Sequence, residues 1–295
     1  MNRELVIDSP AKVNLHLEIG PKREDGYHGI RSLFQQVSLC DTLEMRSLTD
    51  TDSCRIEGDF GCSTEQNLIF KAFRLFREET GISGGIDVRV VKRIPEGAGL
   101  GGGSSNAAST LIGLNSLFQT DLSANALTRL GARLGSDVPF FCSASLAYVG
   151  GRGEEVFPIP GARRLPLLLI LPSFSVSTSE AYGWLDEENR DTPFRFDHAS
   201  LEREYEENPA QWRYFNAFTP ALIERHPQIK GYLEKMRYHG AAYAELSGSG
   251  SALFGVFSSK AAAHRAAKGL KELKDPIQVL TIETLDRFGE RILQY

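Results

Sequence analysis

Between residues 97 and 103 the chain reads GAGLGGG, five glycines in seven positions. So dense a run costs backbone entropy on folding, and a compact domain keeps it where positive φ or a close backbone approach is needed. Its flanks narrow the fold further. Ile86-Asp87-Val88-Arg89-Val90 alternates like a strand that Pro95 closes, and from Ser105 to Phe118 the residues Ala108, Leu111, Ile112, Asn115 and Phe118 recur with helical period. A strand, a glycine loop and a helix in that order aim successive backbone N–H groups and the positive end of the helix dipole at one place, where phosphate binds.

Three phosphate loops compete for this run. A Walker A loop needs GxxxxGK[ST], and the register from Gly97 puts Gly103 where the lysine must stand, so that reading fails. Gly97, Gly99 and Gly102 fit GxGxxG, with Asp121 roughly 20 residues further on; yet residues 105–120 read as one helix with no strand before Asp121. The third reading uses Ser104 and Ser105 where loop becomes helix: N–H groups bind a polyphosphate without lysine, and a hydroxyl reaches a phosphate oxygen or its Mg²⁺. The bland alternative is a tightly packed connection with one of the serines as an ordinary N-cap.

The rest of the chain sets bounds. At 295 residues it suits two domains or one large one. A net charge of −5 offers no global attraction for nucleic acid or anionic membranes, so any phosphate must be held locally. The longest apolar stretch, LPLLLILP at 165–172, is too short to span a bilayer, and MNRELVIDSPAK lacks a signal or transit pattern, so the chain reads as cytoplasmic. Cys40, Cys54, Cys62 and Cys142 have no metal or disulfide spacing and read as reduced thiols. Val13, Leu15, Leu17 and Ile19 alternate with Lys12, Asn14, His16 and Glu18, the pattern of a half-buried strand that puts Lys12 and Asn14 on one face. Asp25-Gly26 marks a turn, strand residues run from Ile30 to about Leu48, and NLIFKAFRLFREE from Asn67 reads as a helix ended by Gly81. Asp121 or Ser123 caps a further helix through Leu134, and Asp137 falls in a rigid loop after it. GRGE at 151–154 and PIPGARRLP at 158–166 read as a boundary, and AYAELSGSGSALFGVF as two strands joined by a second glycine-serine turn.

Pro95 to Ala108, with the pattern P-x-x-x-G-L-G-x-G-S-S-x-A-A, resembles the nucleotide loop of the GHMP kinase superfamily. SPAKVNLHLEIG, GSDVPFF and ELSGSGSALFGVF resemble its other motifs, so the likeness runs nearly end to end. It implies an α+β, two-domain fold: a ribosomal protein S5 domain 2-like N-terminal domain at 1–158 that binds ATP, a ferredoxin-like domain at 159–295, and an active site in the cleft between them. Pro95, Gly97, Gly99, Leu100, Gly101, Gly102, Gly103, Ser104 and Ser105 would hold ATP with Mg²⁺, and Asn67 and Lys92 match positions beside the adenine. Asn67 alone can equally be a helix cap, and Lys92 a solvated charge. By the same resemblance Asp137 is the base that takes the hydroxyl proton and Lys12 the cation beside it; the bland alternative is a structural ion pair. No metal ligand is legible.

DGYH, NLIFKA and GSDVP together resemble the branch of the superfamily that phosphorylates a cytidine diphosphate alcohol on the non-mevalonate route to isoprenoid precursors. There Tyr27 and Tyr182 would sandwich the cytosine, His28 would hydrogen-bond it, and Asn14 would lie near the alcohol; Thr178 also matches. Gly248 and Gly250 shape a turn near the cleft or a plain hairpin. At FNAFTP the sequence departs from the family, with Ala217 where an acidic residue usually follows the asparagine. Kinases of the same fold acting on mevalonate or homoserine, and a silent nucleotide-binding homologue, are the rival readings; the oligomeric state is not legible.

Overall fold

The computed structural model describes residues 3–187, 193–270, 277–289 and 292–294. Two long antiparallel strands, β1 (Glu4–Lys22) and β2 (His28–Leu48), form its spine. With β3 (Cys54–Glu57), β4 (Gly85–Val91), β5 (Leu146–Gly150) and β6 (Glu155–Pro158) they make a first sheet, β4 pairing with Thr42–Leu48 of β2 and β5 with Ser32–Gln35. Helices α1 (Leu68–Thr80), α2 (Gly102–Phe118), α3 (Ala124–Ala132) and α4 (Val138–Ser143) share a core with it that buries Phe34, Phe73, Phe76, Phe140 and Phe141.

A second sheet holds β7 (Pro166–Pro172), β8 (Tyr243–Leu246), β9 (Leu253–Val256) and β10 (Ile277–Glu283) in the spatial order β10-β7-β9-β8, every pair antiparallel. Helices α5 (Thr178–Glu187), α6 (His198–Glu206), α7 (Thr219–Arg225) and α8 (Gln228–Tyr238) come between β7 and β8, and α9 (Lys260–Leu270) between β9 and β10, the β-α-β-β-α-β plan of ferredoxin-like folds. The last strand, β11 (Ile292–Gln294), returns to the first sheet beside Leu5–Ile7.

Several local signals behave as read. The Asn67 side chain caps α1 by accepting from the Ile69 N–H at 2.9 Å, and the helix ends at Gly81. Ser123, rather than Asp121, caps α3. Asp137 falls, as read, in the turn that follows α3, and α4 starts directly after it at Val138, because Pro139 sits in a first turn whose N–H groups have no helical partner anyway. One expectation needs correction, and it concerns β1.

Simple alternation along β1 fails at Leu15. The pairing runs Asn14 to Phe34 and then His16 to Leu33, so β1 spends one extra residue there. An extra residue reverses which side each later side chain faces. Ala11, Val13 and Leu15 therefore pack with Leu167, Leu169 and Phe254 of the second sheet, whereas Leu17 and Ile19 join the helical core. Nor is the strand half-buried: Lys12, Asn14, His16 and Glu18 are all at most 4% exposed. Residues 195–215 cover His16 and Glu18; Glu18 accepts from the Arg195 and Phe196 N–H groups, and His16 Nδ1 from Phe215 N–H.

Candidate active site

A cleft of about 930 Å³ runs between the glycine loop, β1 and the first turns of the second half. Of the residues that the sequence singles out as catalytic, nucleotide-binding or substrate-binding, all but Ser105 line it.

At its floor α2 begins inside the glycine run, at Gly102, three residues before the point where helical periodicity becomes visible. Gly101 is its N-cap at φ 71°, and no side chain caps it, so the first N–H groups are free to meet a ligand. A Cβ on Gly101 would lie 3.0 Å from the Phe141 ring and 3.2 Å from Lys12 Cγ; one on Gly102 would lie 2.9 Å from Ile94. The loop is as narrow as glycine permits. Ser104 is half-buried at the cleft, whereas Ser105 is fully buried, its hydroxyl 2.8 Å from Ser9 Oγ, which ties α2 to β1.

Three contacts fix this loop from outside. The Lys12 N–H donates to the Leu100 carbonyl at 2.9 Å, joining it to β1. From the second half, Ser247 Oγ donates to the Gly99 carbonyl at 3.0 Å and Ala252 N–H to the Ala98 carbonyl at 3.2 Å. Gly99, at φ 76°, allows that approach: a Cβ there would lie 2.1 Å from the Ser247 carbonyl oxygen. The turn containing Gly248 is thus a brace for the first glycine loop as well as a hairpin. Asn216 braces it in turn, donating to the Leu246 and Gly248 carbonyls at 3.0 and 2.8 Å. At neighbouring Ala217 the backbone N–H donates to the Leu17 carbonyl, so the strand contact needs no acidic side chain.

Above the loop stands Lys12, 4% exposed, with Nζ 3.5 Å from Asp137 Oδ2 and donating to Asn14 Oδ1 at 2.6 Å. Its ammonium also lies 4.4 Å from the centre of the Phe34 ring. Burial holds the Lys12 pKa below its usual 10.5, and the Asp137 carboxylate opposes that. Asp137 keeps 30% of its side chain exposed to the cleft, so a substrate hydroxyl can reach it. Lys92 is not a solvated charge: its Nζ lies 2.5 Å from Asp41, which is fully buried and also accepts from the Arg93 and Ile94 N–H groups. Nothing in the sequence links Asp41 to this role, since its partners lie some 50 residues away.

The far end of the cleft is aromatic. The His28 and Tyr182 rings stack, 5.3 Å apart at 28°, and Phe218 meets Tyr182 edge-on at 5.1 Å. Burial pushes the Tyr182 phenol up to about 12, with the Asp137 charge adding to it. Tyr27 is 58% exposed, with the Arg152 guanidinium 5.0 Å from its ring centre, so here each tyrosine rests on a neighbour other than its fellow. His28 Nδ1 donates to the Gly20 carbonyl at 2.9 Å, and Asp186 pairs with both His28 Nε2 and Lys22. Asp186 was not legible in the sequence. Thr178 Oγ1 lies 3.1 Å from Ser249 Oγ, joining α5 to the second glycine turn.

Among the described residues no cluster of three or more His, Cys, Asp or Glu could cage a metal, and no helix is long and apolar enough to cross a membrane. A glycine loop under a helix with no side-chain cap, with a buried lysine beside a partly open aspartate, brings together the groups that phosphoryl transfer calls for: free backbone donors, a cation and a carboxylate.

Comparison with known proteins agrees. Family models for the GHMP kinases N terminal domain and the GHMP kinases C terminal domain match residues 67–145 and 194–275. The chain belongs to the GHMP kinases and is an ATP-dependent small-molecule kinase. Within that family it is 38% identical to the 4-diphosphocytidyl-2-C-methyl-D-erythritol kinase of Thermodesulfovibrio yellowstonii over 273 residues, covering 88% of this chain and 91% of that protein. The crystal structure of a 4-(cytidine 5′-diphospho)-2C-methyl-D-erythritol kinase superposes with a TM-score of 0.76 at 34% identity, covering 96% and 99% of the two chains. A homoserine kinase from Cytophaga hutchinsonii reaches a TM-score of 0.75 at 18% identity, covering 99% and 98%, which speaks for the fold alone.

Proposed function

We propose that this kinase transfers the γ-phosphoryl group of ATP to the 2-hydroxyl of 4-diphosphocytidyl-2-C-methyl-D-erythritol, a step of non-mevalonate isoprenoid precursor synthesis. The observation that carries the reading is a single cleft joining the Lys12–Asp137 pair to the Tyr27, His28 and Tyr182 corner, in a chain whose relatives above 30% identity bear that substrate's name. Mevalonate- and homoserine-type alcohols have no base for the aromatic corner to grip. A silent homologue has no need of a buried lysine beside an open carboxylate.

Residues 1–158 supply the nucleotide-binding groups, the Lys12–Asp137 pair, Asn14, Tyr27 and His28, and residues 159–295 add Thr178, Tyr182 and Asp186. The free N–H groups of Gly102, Gly103 and Ser104 bind the phosphates, while Asn67 and Lys92 border the adenine. Asp137 takes the proton as the hydroxyl oxygen attacks phosphorus, and the bond to ADP breaks with its electron pair leaving on ADP. Lys12 holds the developing charge, and Asn14 orients Lys12 and the alcohol. Mg²⁺ carried on the nucleotide phosphates would neutralise their charge; the oxygens that fit it are Ser104 and Asp137, too few for a protein cage and in keeping with a largely phosphate- and water-bound ion. The enzyme works in the cytoplasm. The test is coupled ADP release with the cytidyl substrate, methylerythritol 4-phosphate, mevalonate and homoserine: only the first should turn over efficiently, and efficient use of an alcohol without cytidine would reassign the enzyme.

A further inference from the structure

We infer that Asp186 is a specificity residue whose carboxylate accepts the exocyclic amino group of the pyrimidine, so that the site selects cytosine over uracil. This rests on the proposed cytidyl substrate. Three observations lead to it. Asp186 projects from α5 one turn beyond Tyr182 and lines the same cleft, with 35% of its side chain open. His28, the residue the sequence suggests as the base reader, has both ring nitrogens engaged: Nδ1 with the Gly20 carbonyl and Nε2 with Asp186 Oδ1, each at 2.9 Å. Asp186, next to it, still has acceptor capacity facing the cleft. A carboxylate has about four acceptor sites, and Lys22 and His28 take one on each oxygen. Lys22 and His28 also hold its carboxyl below the usual carboxylate range, so near neutral pH it is an ionised acceptor with no proton to give. Cytosine offers an amino donor at the position where uracil presents a carbonyl. The first satisfies a remaining acceptor site, and the second opposes acceptor to acceptor.

The experiment compares kcat/KM for the cytidyl substrate and its uridyl analogue in the wild type, Asp186→Asn, Asp186→Ala and Lys22→Ala, with thermal unfolding as the check on folding. Loss of a hydrogen bond to a charged acceptor should lower the cytidyl value in Asp186→Asn by roughly 10- to 100-fold. The uridyl value should hold or rise, because the asparagine amide can donate to a carbonyl, and the base preference should collapse. Asp186→Ala should lose the cytidyl rate without gaining the uridyl one, and Lys22→Ala, which keeps the acceptor, should keep the preference. Equal losses on both bases would mean that Asp186 only positions His28, and would overturn the inference while leaving the proposed function intact. A wild type that ignores the cytidyl group would overturn both.

Discussion

Asp137→Asn removes one charge from the centre of the site while keeping its shape. The Lys12–Asp137 separation of 3.5 Å corresponds to about 5 kcal/mol of attraction at an effective dielectric constant of about 20. Because Asp137 is 30% exposed, water screens part of it, and a stability loss of roughly 1–3 kcal/mol is expected. The loss should depend on pH. Burial already places the folded Lys12 pKa below 10.5, so the unfolded chain binds more protons in the window between the two values and stability rises with pH across it. Without the Asp137 charge the folded value falls further and the window widens downward. The gap between wild type and variant should therefore be largest near neutral pH and shrink as pH rises through the folded Lys12 pKa, which lies below 10.5, because the lysine then loses its charge in both folded proteins. Turnover should fall by roughly 10²–10⁴ with ATP binding mostly retained, as expected on loss of a general base. Denaturant unfolding from pH 7 to 10.5, alongside steady-state ADP release, measures both. A near-wild-type rate would remove Asp137 from the base role, and a stability gap that does not change with pH would refute the electrostatic argument.

Gly101→Val should abolish ATP binding by calorimetry, since its Cβ meets the Phe141 ring at 3.0 Å and φ 71° is strained for a branched residue; undiminished binding would take the phosphates elsewhere. Asp41→Asn should cost about 3–5 kcal/mol of stability, the scale of breaking a buried ion pair, because it leaves Lys92 without its counter-charge; a loss below 1 kcal/mol would mean that the pair is dispensable. Tyr182→Ala should weaken binding of the cytidyl substrate by about 1–3 kcal/mol, the scale of base–aromatic stacking, with ATP affinity unchanged as the control. His28→Ala should keep most of the preference for cytosine over uracil, because Asp186 retains its acceptor oxygens, and a preference lost with the imidazole would return the base-reading role to His28.

What the sequence determined by itself was local. The order of strand, glycine loop and helix, the helix that follows Asn67 and ends at Gly81, and the shared face of Lys12 and Asn14 all depend on spacings of a few residues, which backbone geometry converts directly into position. Even there the reach was short: periodicity marked α2 only from Ser105, because glycines carry no side chains to repeat, and alternation along β1 broke where one extra residue at Leu15 changed the facing of His16, Leu17, Glu18 and Ile19. Tertiary structure alone decided the rest. Lys92 meets Asp41 across 51 residues, Gly99 meets Ser247 across 148, and His28 meets Asp186 across 158. Each is a polar group that the fold buries or crowds at the cleft, where an unpaired donor or charge is costly, so its partner is whichever residue packing brings within reach. No spacing along the chain encodes that choice, because it is made between elements that meet only after both sheets have packed.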